Sequence, residues 1–186
     1  MSEDPTDELR HEHEAVLVVV AAMEREVDAV RAGRPIDGDA VAKMVDFTRN
    51  FTDGCHHTKE EKVLFPLMEE RSQAAGGPVS VMLSEHEAGR AAVRAIADNL
   101  PAAGRDEAAR TAVVDNLAAY SDLLRMHIHK ENEVLFPLAG QIFGEDDRRH
   151  VASEFARVEK EETGAGVHER YHQMAHELAE TRTHDE

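Results

Sequence analysis

A helical face occurs twice in this chain. His56-His57-Thr58-Lys59-Glu60-Glu61-Lys62-Val63-Leu64-Phe65-Pro66-Leu67 aligns without a gap on His127-Ile128-His129-Lys130-Glu131-Asn132-Glu133-Val134-Leu135-Phe136-Pro137-Leu138. His56 falls on His127 and Glu60 on Glu131, an offset of 127 − 56 = 71 residues. Upstream of each copy a shorter repeat recurs, Glu12-His13-Glu14-Ala15 and Glu85-His86-Glu87-Ala88, offset 86 − 13 = 73. The chain therefore reads as two related halves, each with one lone histidine followed by one His-x-x-x-Glu. Residues four apart share a helix face, so each such pair can aim both side chains at one spot.

Periodicity supplies the rest of the helices. Leu9, His13, Val16, Val20, Met23, Val27 and Val30 form one stripe, opened by Thr6 or Asp7 as cap and closed by Gly33 and Pro35. A second helix is expected from Asp37 to Asp39 onward, with Val41, Val45, Thr52, His56, Glu60, Val63 and Leu67 inward and Pro66 kinking its end. The third opens near Pro78 and buries Val79, Met82, His86, Val93 and Leu100, before Pro101 to Gly104 turn the chain. The fourth, from Asp106, carries Val113, Leu117, Tyr120, Leu124, His127, Glu131, Val134 and Leu138. Asp146 to Glu162 and the segment with Val167, Tyr171, Met174 and Leu178 add further helices. The expected architecture is all-α: an up-down-up-down four-helix bundle over residues 7–140, with one or two extra helices packed on it over 146–180.

Composition bounds the function. Aromatics are 4% of the 186 residues and Trp is absent, which suits helices better than sheets. A formal net charge of −17 argues against nucleic acid and against docking on anionic lipid. Cys55 is the single cysteine, which excludes an internal disulfide and fits a reducing compartment; with an acidic N-terminus and no long apolar run, a cytoplasmic location is expected.

In a bundle the inner stripes converge on one axis. His13, His86, His56 with Glu60, and His127 with Glu131 all fall on those stripes. Four imidazoles and two carboxylates in a Val/Leu/Met/Phe interior are costly unless satisfied, and a metal centre satisfies them together. With N and O donors and two carboxylates able to bridge, a pair of first-row ions fits, iron or manganese before zinc. His57 and His129 have no aligned histidine and are expected to face solvent, and Glu61 to point off the metal-facing side.

These motifs resemble the hemerythrin family in its bacterial HHE cation-binding branch. The likeness covers Leu9 to Leu138: the Glu-His of the first helix, H-x-x-x-E-E-x-x-L-F-P of the second, the lone histidine of the third and H-x-x-x-E of the fourth. It implies a four-helix bundle around a non-haem di-iron centre, oxo- or hydroxo-bridged. The ligands would be His13, His56, Glu60, His86, His127 and Glu131, with the two glutamates as bridges. Oxygen-carrying members have His-x-x-x-His on the third helix, whereas His86 here is followed by Arg90. The fourth-helix carboxylate is Glu131 at +4 and not an Asp at +5. The resemblance is therefore to members with four His and two Glu, which implies a protein that binds, senses or detoxifies dioxygen, peroxide or nitric oxide, as monomer or homodimer.

Other residues are candidates around the site. Tyr120 lies two turns before His127 and can donate to a bound ligand. His57, His168 and His172 could lend an extra ligand. His168-Glu169-Arg170-Tyr171-His172 is formally the HExxH of zinc hydrolases, a match that so many His and Glu make easy by chance. A ferritin-like oxidase would instead show Glu-x-x-His.

Overall fold

The computed structural model describes residues 4–164 and 166–180, without the side chains of residues 162, 163, 167 and 168. Among the described residues there is no strand, and four long helical stretches pack as a bundle with further C-terminal helices. No helix among them is long and apolar enough to cross a membrane.

Helix α1 spans Thr6–Arg31. Its first turn is held by Asp4, whose Oδ1 accepts from the Thr6 amide and hydroxyl at 3.0 and 2.9 Å, so the expected Thr6 or Asp7 cap is displaced upstream. Gly33, at φ 91°, turns the chain after it, a conformation that favours glycine. Helix α2 covers Gly38–Phe47, and the Asp37 side chain caps it at the Ala40 amide. It continues as π-helix over Thr48–His57 and Glu60–Leu64 before α3, Phe65–Arg71. A 3₁₀ turn, Gln73–Ala75, leads into α4, Gly76–Ala103. Helix α5 is Glu107–Lys130, capped by Asp106, and passes through a π turn, Glu131–Leu135, into α6, Phe136–Ile142. Then come α7, Glu145–Val158, a π turn, Glu159–Thr163, and α8, Val167–Glu180.

The two π turns beside the prolines are the same feature of the repeat, since 60 + 71 = 131 and 64 + 71 = 135. Pro66 and Pro137 stand second in α3 and α6. Proline lacks the N–H that an α-helix would use, and its ring crowds the carbonyl four residues back, so the turn ahead of it winds wider. This winding corrects the sequence reading at one position. Val134 was expected inside on 3.6-residue periodicity, but it is 54% exposed, and Leu135 and Phe136 are buried in its place. A second correction is at Pro101, where α4 runs on to Ala103 with Pro101 inside its last turn.

Helix α5 packs against α1 and α4, α2 packs against α4, and α8 lies on α1 and α2. Buried side chains form two apolar clusters. One includes Val16, Val20, Phe51, Val93, Leu117 and Leu124. The other includes Leu9, Val63, Met82, Leu135, Phe136 and Phe155. On every long helix the histidines and glutamates fall between residues of these two clusters, so a polar layer is sandwiched between two dry ones.

Tyr171 of α8 is fully buried, edge-on to Phe47, with its hydroxyl donating to Asp46 at 3.2 Å. Replacing it by Ala removes that ring contact. The expected cost is roughly 3–5 kcal/mol, with faster amide exchange confined first to α8. Exchange spread evenly over the bundle would show that α8 is not held by this side chain.

Candidate metal centre

The polar layer is assembled from all four long helices. His13 comes from α1, His86 from α4, and His127 from the last turn of α5, while His56 lies in the first π segment. Glu60 and Glu131 are the first residues of the two proline-linked π turns. All six are buried.

Their ligand atoms form two groups that share Glu60: His13, His56, Glu60 and Glu131 in one, and His57, Glu60, His86 and His127 in the other, each within 4.8 Å internally. The carboxylates straddle the groups. Glu60 turns Oε1 to His56 Nε2 at 3.6 Å and Oε2 to His86 Nε2 at 3.5 Å. Glu131 turns Oε2 to His13 Nε2 at 3.1 Å and Oε1 to His127 Nε2 at 3.1 Å. Within each group two imidazoles face each other, His13 to His56 and His86 to His127, both Nε2 to Nε2 at 3.1 Å.

The far nitrogen of every one of these imidazoles is held. His56 Nδ1 bonds to Glu12 at 2.8 Å and His127 Nδ1 to Glu85 at 2.9 Å. His13 Nδ1 bonds to Asn132 at 3.1 Å and His86 Nδ1 to Glu61 at 2.7 Å. The scheme obeys the internal repeat: Glu12 and Glu85 precede the lone histidines, while Glu61 and Asn132 follow the straddling glutamates. A carboxylate or amide oxygen here accepts the Nδ1 proton, which leaves the Nε2 lone pair directed inward. Lys59 and Lys130 are repeat partners too, and each donates to the anchoring glutamate, Lys59 to Glu12 at 2.7 Å and Lys130 to Glu85. Lys59 is fully buried and also reaches Glu8 and Glu159, at 2.8 Å for the latter. Burial works against its charge, but Glu12 and Glu8 outweigh it and hold its pKa above the usual lysine range.

Whether these residues suit a metal pair follows from what they lack. Both oxygens of Glu60 and of Glu131 are buried without a hydrogen bond, as is Nε2 of His57. Inward-facing lone pairs beside two buried carboxylates repel one another, and cations between them remove the repulsion. Burial, then the Glu131 charge, pushes the Glu60 carboxyl well above the usual range. Burial also acts to raise Glu131, but His127 and His13 outweigh it and hold its carboxyl low. Two like charges this close do not both persist without positive charge.

Two placements correct the sequence reading, those of His57 and His172. His57, expected at the surface, is 5% exposed and inside the second group, because π winding places consecutive residues less than the about 100° apart of an α-helix. Burial holds its pKa down to about 3. His129 is exposed, as expected. Glu61 is off the metal-facing side, but it is not idle, since it fixes His86. His172 joins neither group; its ring stacks on His11 at 5.5 Å and meets Phe51 edge-on at 5.6 Å. The side chain of His168 lies outside the described residues. Tyr120 is buried beside Thr48 and Thr52, burial pushes its pKa up, and it lines a cavity of about 160 Å³ together with His57, Asp53 and Arg90. The anchors Glu12 and Glu85 were missed, although the Glu-His repeat was their signal.

The chain belongs to the hemerythrin HHE cation-binding domain family, whose model matches residues 4–139. It is 34% identical over 132 residues to the iron-sulfur cluster repair protein YtfE of Edwardsiella ictaluri (strain 93-146), covering 68% of this chain and 59% of that protein. It is 34% identical over 139 residues to the protein of the same name from Cronobacter sakazakii (strain ATCC BAA-894), covering 71% and 61%. It is 24% identical over 159 residues to the uncharacterised protein Rv1995 of Mycobacterium tuberculosis (strain ATCC 25618 / H37Rv), covering 85% and 62%. The chain thus spans about three-fifths of the length of these curated relatives. No solved structure matches it.

Changing Glu12 or Glu85 to Gln keeps volume but removes the anion that holds a histidine. Each is expected to weaken metal affinity by about 10–100-fold, measured by titrating apoprotein. Glu14→Gln, at an exposed position between Glu12 and the core stripe, is expected to leave affinity unchanged.

Proposed function

We propose that the two groups hold two iron ions, with His13, His56, Glu60, His86, His127 and Glu131 as ligands, and that the pair binds, senses or detoxifies a small oxidant: dioxygen, peroxide or nitric oxide. The observation that carries this reading is the straddling of the groups by Glu60 and Glu131, whose four oxygens are buried without a hydrogen bond. The N/O donor set with two carboxylates able to bridge suits iron or manganese before zinc. The names of the relatives, iron-sulfur cluster repair proteins, support the choice.

When bound, an iron pair supplies Lewis acidity and two redox centres. The chain's own residues do the rest. Glu60 and Glu131 place two negative charges between the groups, and the anchored imidazoles add neutral donors whose rings cannot swing. The apolar clusters on either side keep bulk water out and strengthen each charge interaction inside. The cavity beside His57 and Tyr120 is large enough only for a small molecule to approach from one flank. We place the protein in the cytoplasm, where its single buried Cys55 stays reduced.

Protein grown with iron is expected to bind about two ions per chain, as the paired groups require. Glu60→Gln or Glu131→Gln is expected to lower occupancy toward one ion or none and to lower the thermal midpoint, because metal binding and folding are linked. Metal analysis and calorimetry check this; one zinc and no iron in the parent protein would sink the di-iron reading. Anaerobic loading with ferrous iron, then titration with oxygen, peroxide and nitric oxide under optical spectroscopy, separates a reversible adduct from catalytic turnover.

A further inference from the structure

Lys59 is fully buried, and three carboxylates take its ammonium. Glu8 and Glu12 belong to α1, and Glu159 is the first residue of the π turn that follows α7. Phe155 of α7, itself buried, turns its ring to the same ammonium, with Nζ 5.7 Å from the ring centroid. Phe155 and Glu159 both lie beyond residue 139, where the match to the family ends. The C-terminal part of this chain therefore supplies two of the groups around a lysine at the edge of the metal centre.

That lysine is one carboxylate away from His56. Glu12 receives Lys59 on Oε1 at 2.7 Å and His56 Nδ1 on Oε2 at 2.8 Å. A carboxylate spreads its charge over both oxygens, so what the ammonium draws to one is lost to the bond at the other. Glu159 acts on this balance. It accepts from the same ammonium at 2.8 Å, with a carboxylate oxygen within 4.8 Å of one from Glu12. Its charge answers part of the ammonium's, and Glu12 keeps more for the hydrogen bond to His56. Lys59 and Glu12 are both fully buried, where such effects are screened least. In the other half of the repeat Lys130 donates to Glu85, which holds His127, but that lysine is only half-buried.

We propose that Glu159 is a positioning residue for the metal centre: through Lys59 and Glu12 it strengthens the hold on His56, and so raises the affinity of the metal position that His56 serves. The C-terminal part of the chain is then a working component of the site and not a cover on the bundle. The effect on metal affinity rests on the dinuclear reading above, whereas the effect on His56 does not.

Glu159→Gln keeps the size of the side chain and removes its charge. Glu161→Gln makes the same change in charge two residues on, at an exposed carboxylate that pairs with Arg157. Nuclear magnetic resonance of the full-length apoprotein, labelled with ¹⁵N in its histidines, gives the first readout. In Glu159→Gln the Nδ1 proton of His56 is expected to move upfield as its bond to Glu12 weakens, while that of His127 stays in place. Glu161→Gln is expected to move neither. Cobalt(II) titration gives the second readout: Glu159→Gln is expected to weaken one of two positions by about 2–30-fold and to leave the other unchanged. Lys59→Met removes the intermediary, and adding Glu159→Gln to it is expected to change neither readout further. An unmoved His56 proton in Glu159→Gln, or an effect of equal size in the Lys59→Met background, would overturn the proposal and leave Glu159 a contact that only fastens the C-terminal helices. Fewer than two cobalt ions in the parent chain would overturn the dinuclear reading, while the His56 proton still decides this one. Circular dichroism checks that each variant is folded. Glu159 and Glu161 are 38% and 57% exposed, so the first readout stands even where Lys59→Met does not fold.

Discussion

Two carboxylates, Glu60 and Glu131, sit at the centre of the bundle with no hydrogen bond on any oxygen. Everything around them is arranged to make that tolerable. An uncompensated pair of buried anions costs several kcal/mol each, more than a small bundle can carry for no purpose. The imidazoles that face them present lone pairs, not protons, because their Nδ1 hydrogens are engaged elsewhere. A pair of cations relieves both carboxylates and all four lone pairs at once, which fits a chain of the cation-binding HHE family.

The anchoring groups show how duplication was elaborated. Glu12 with Lys59 and Glu85 with Lys130 are related by the repeat, and so are Glu61 and Asn132. The two halves then diverge. Around His56 the anchor is drawn further inside by fully buried Lys59, which also binds Glu159 of the C-terminal part. Around His127 the corresponding Lys130 is half-buried and donates to Glu85. The C-terminal helices therefore do more than cover apolar surface, since Glu159 contributes charge to the chain of contacts that ends at His56.

Most of the site could be read from one sequence because two independent periodicities agreed. The internal repeat picked His13, His56, Glu60, His86, His127 and Glu131, and helical spacing put each of them on an inward stripe. The anchoring glutamates lay in plain view as the Glu of Glu-His. They went unrecognised because a residue next to an inward one is, on an ordinary helix, taken to point aside; here that sideways direction reaches the neighbouring helix. Arg90 likewise read as a missing ligand, and only its bonds to Asp53 and Glu61 show what it does.

The sequence by itself determined the helical class, the four inward stripes and the residue types that meet at their centre, because side-chain chemistry and period are local properties. What only the tertiary structure decided was rotation about the helix axis. Prolines at 66 and 137 widen the turn ahead of them, and the long π segment before His57 shifts the register further. That shift carries His57 into the layer and Val134 out to solvent. A pattern rule that assumes 3.6 residues per turn cannot locate it, since each π turn takes more residues than that period counts.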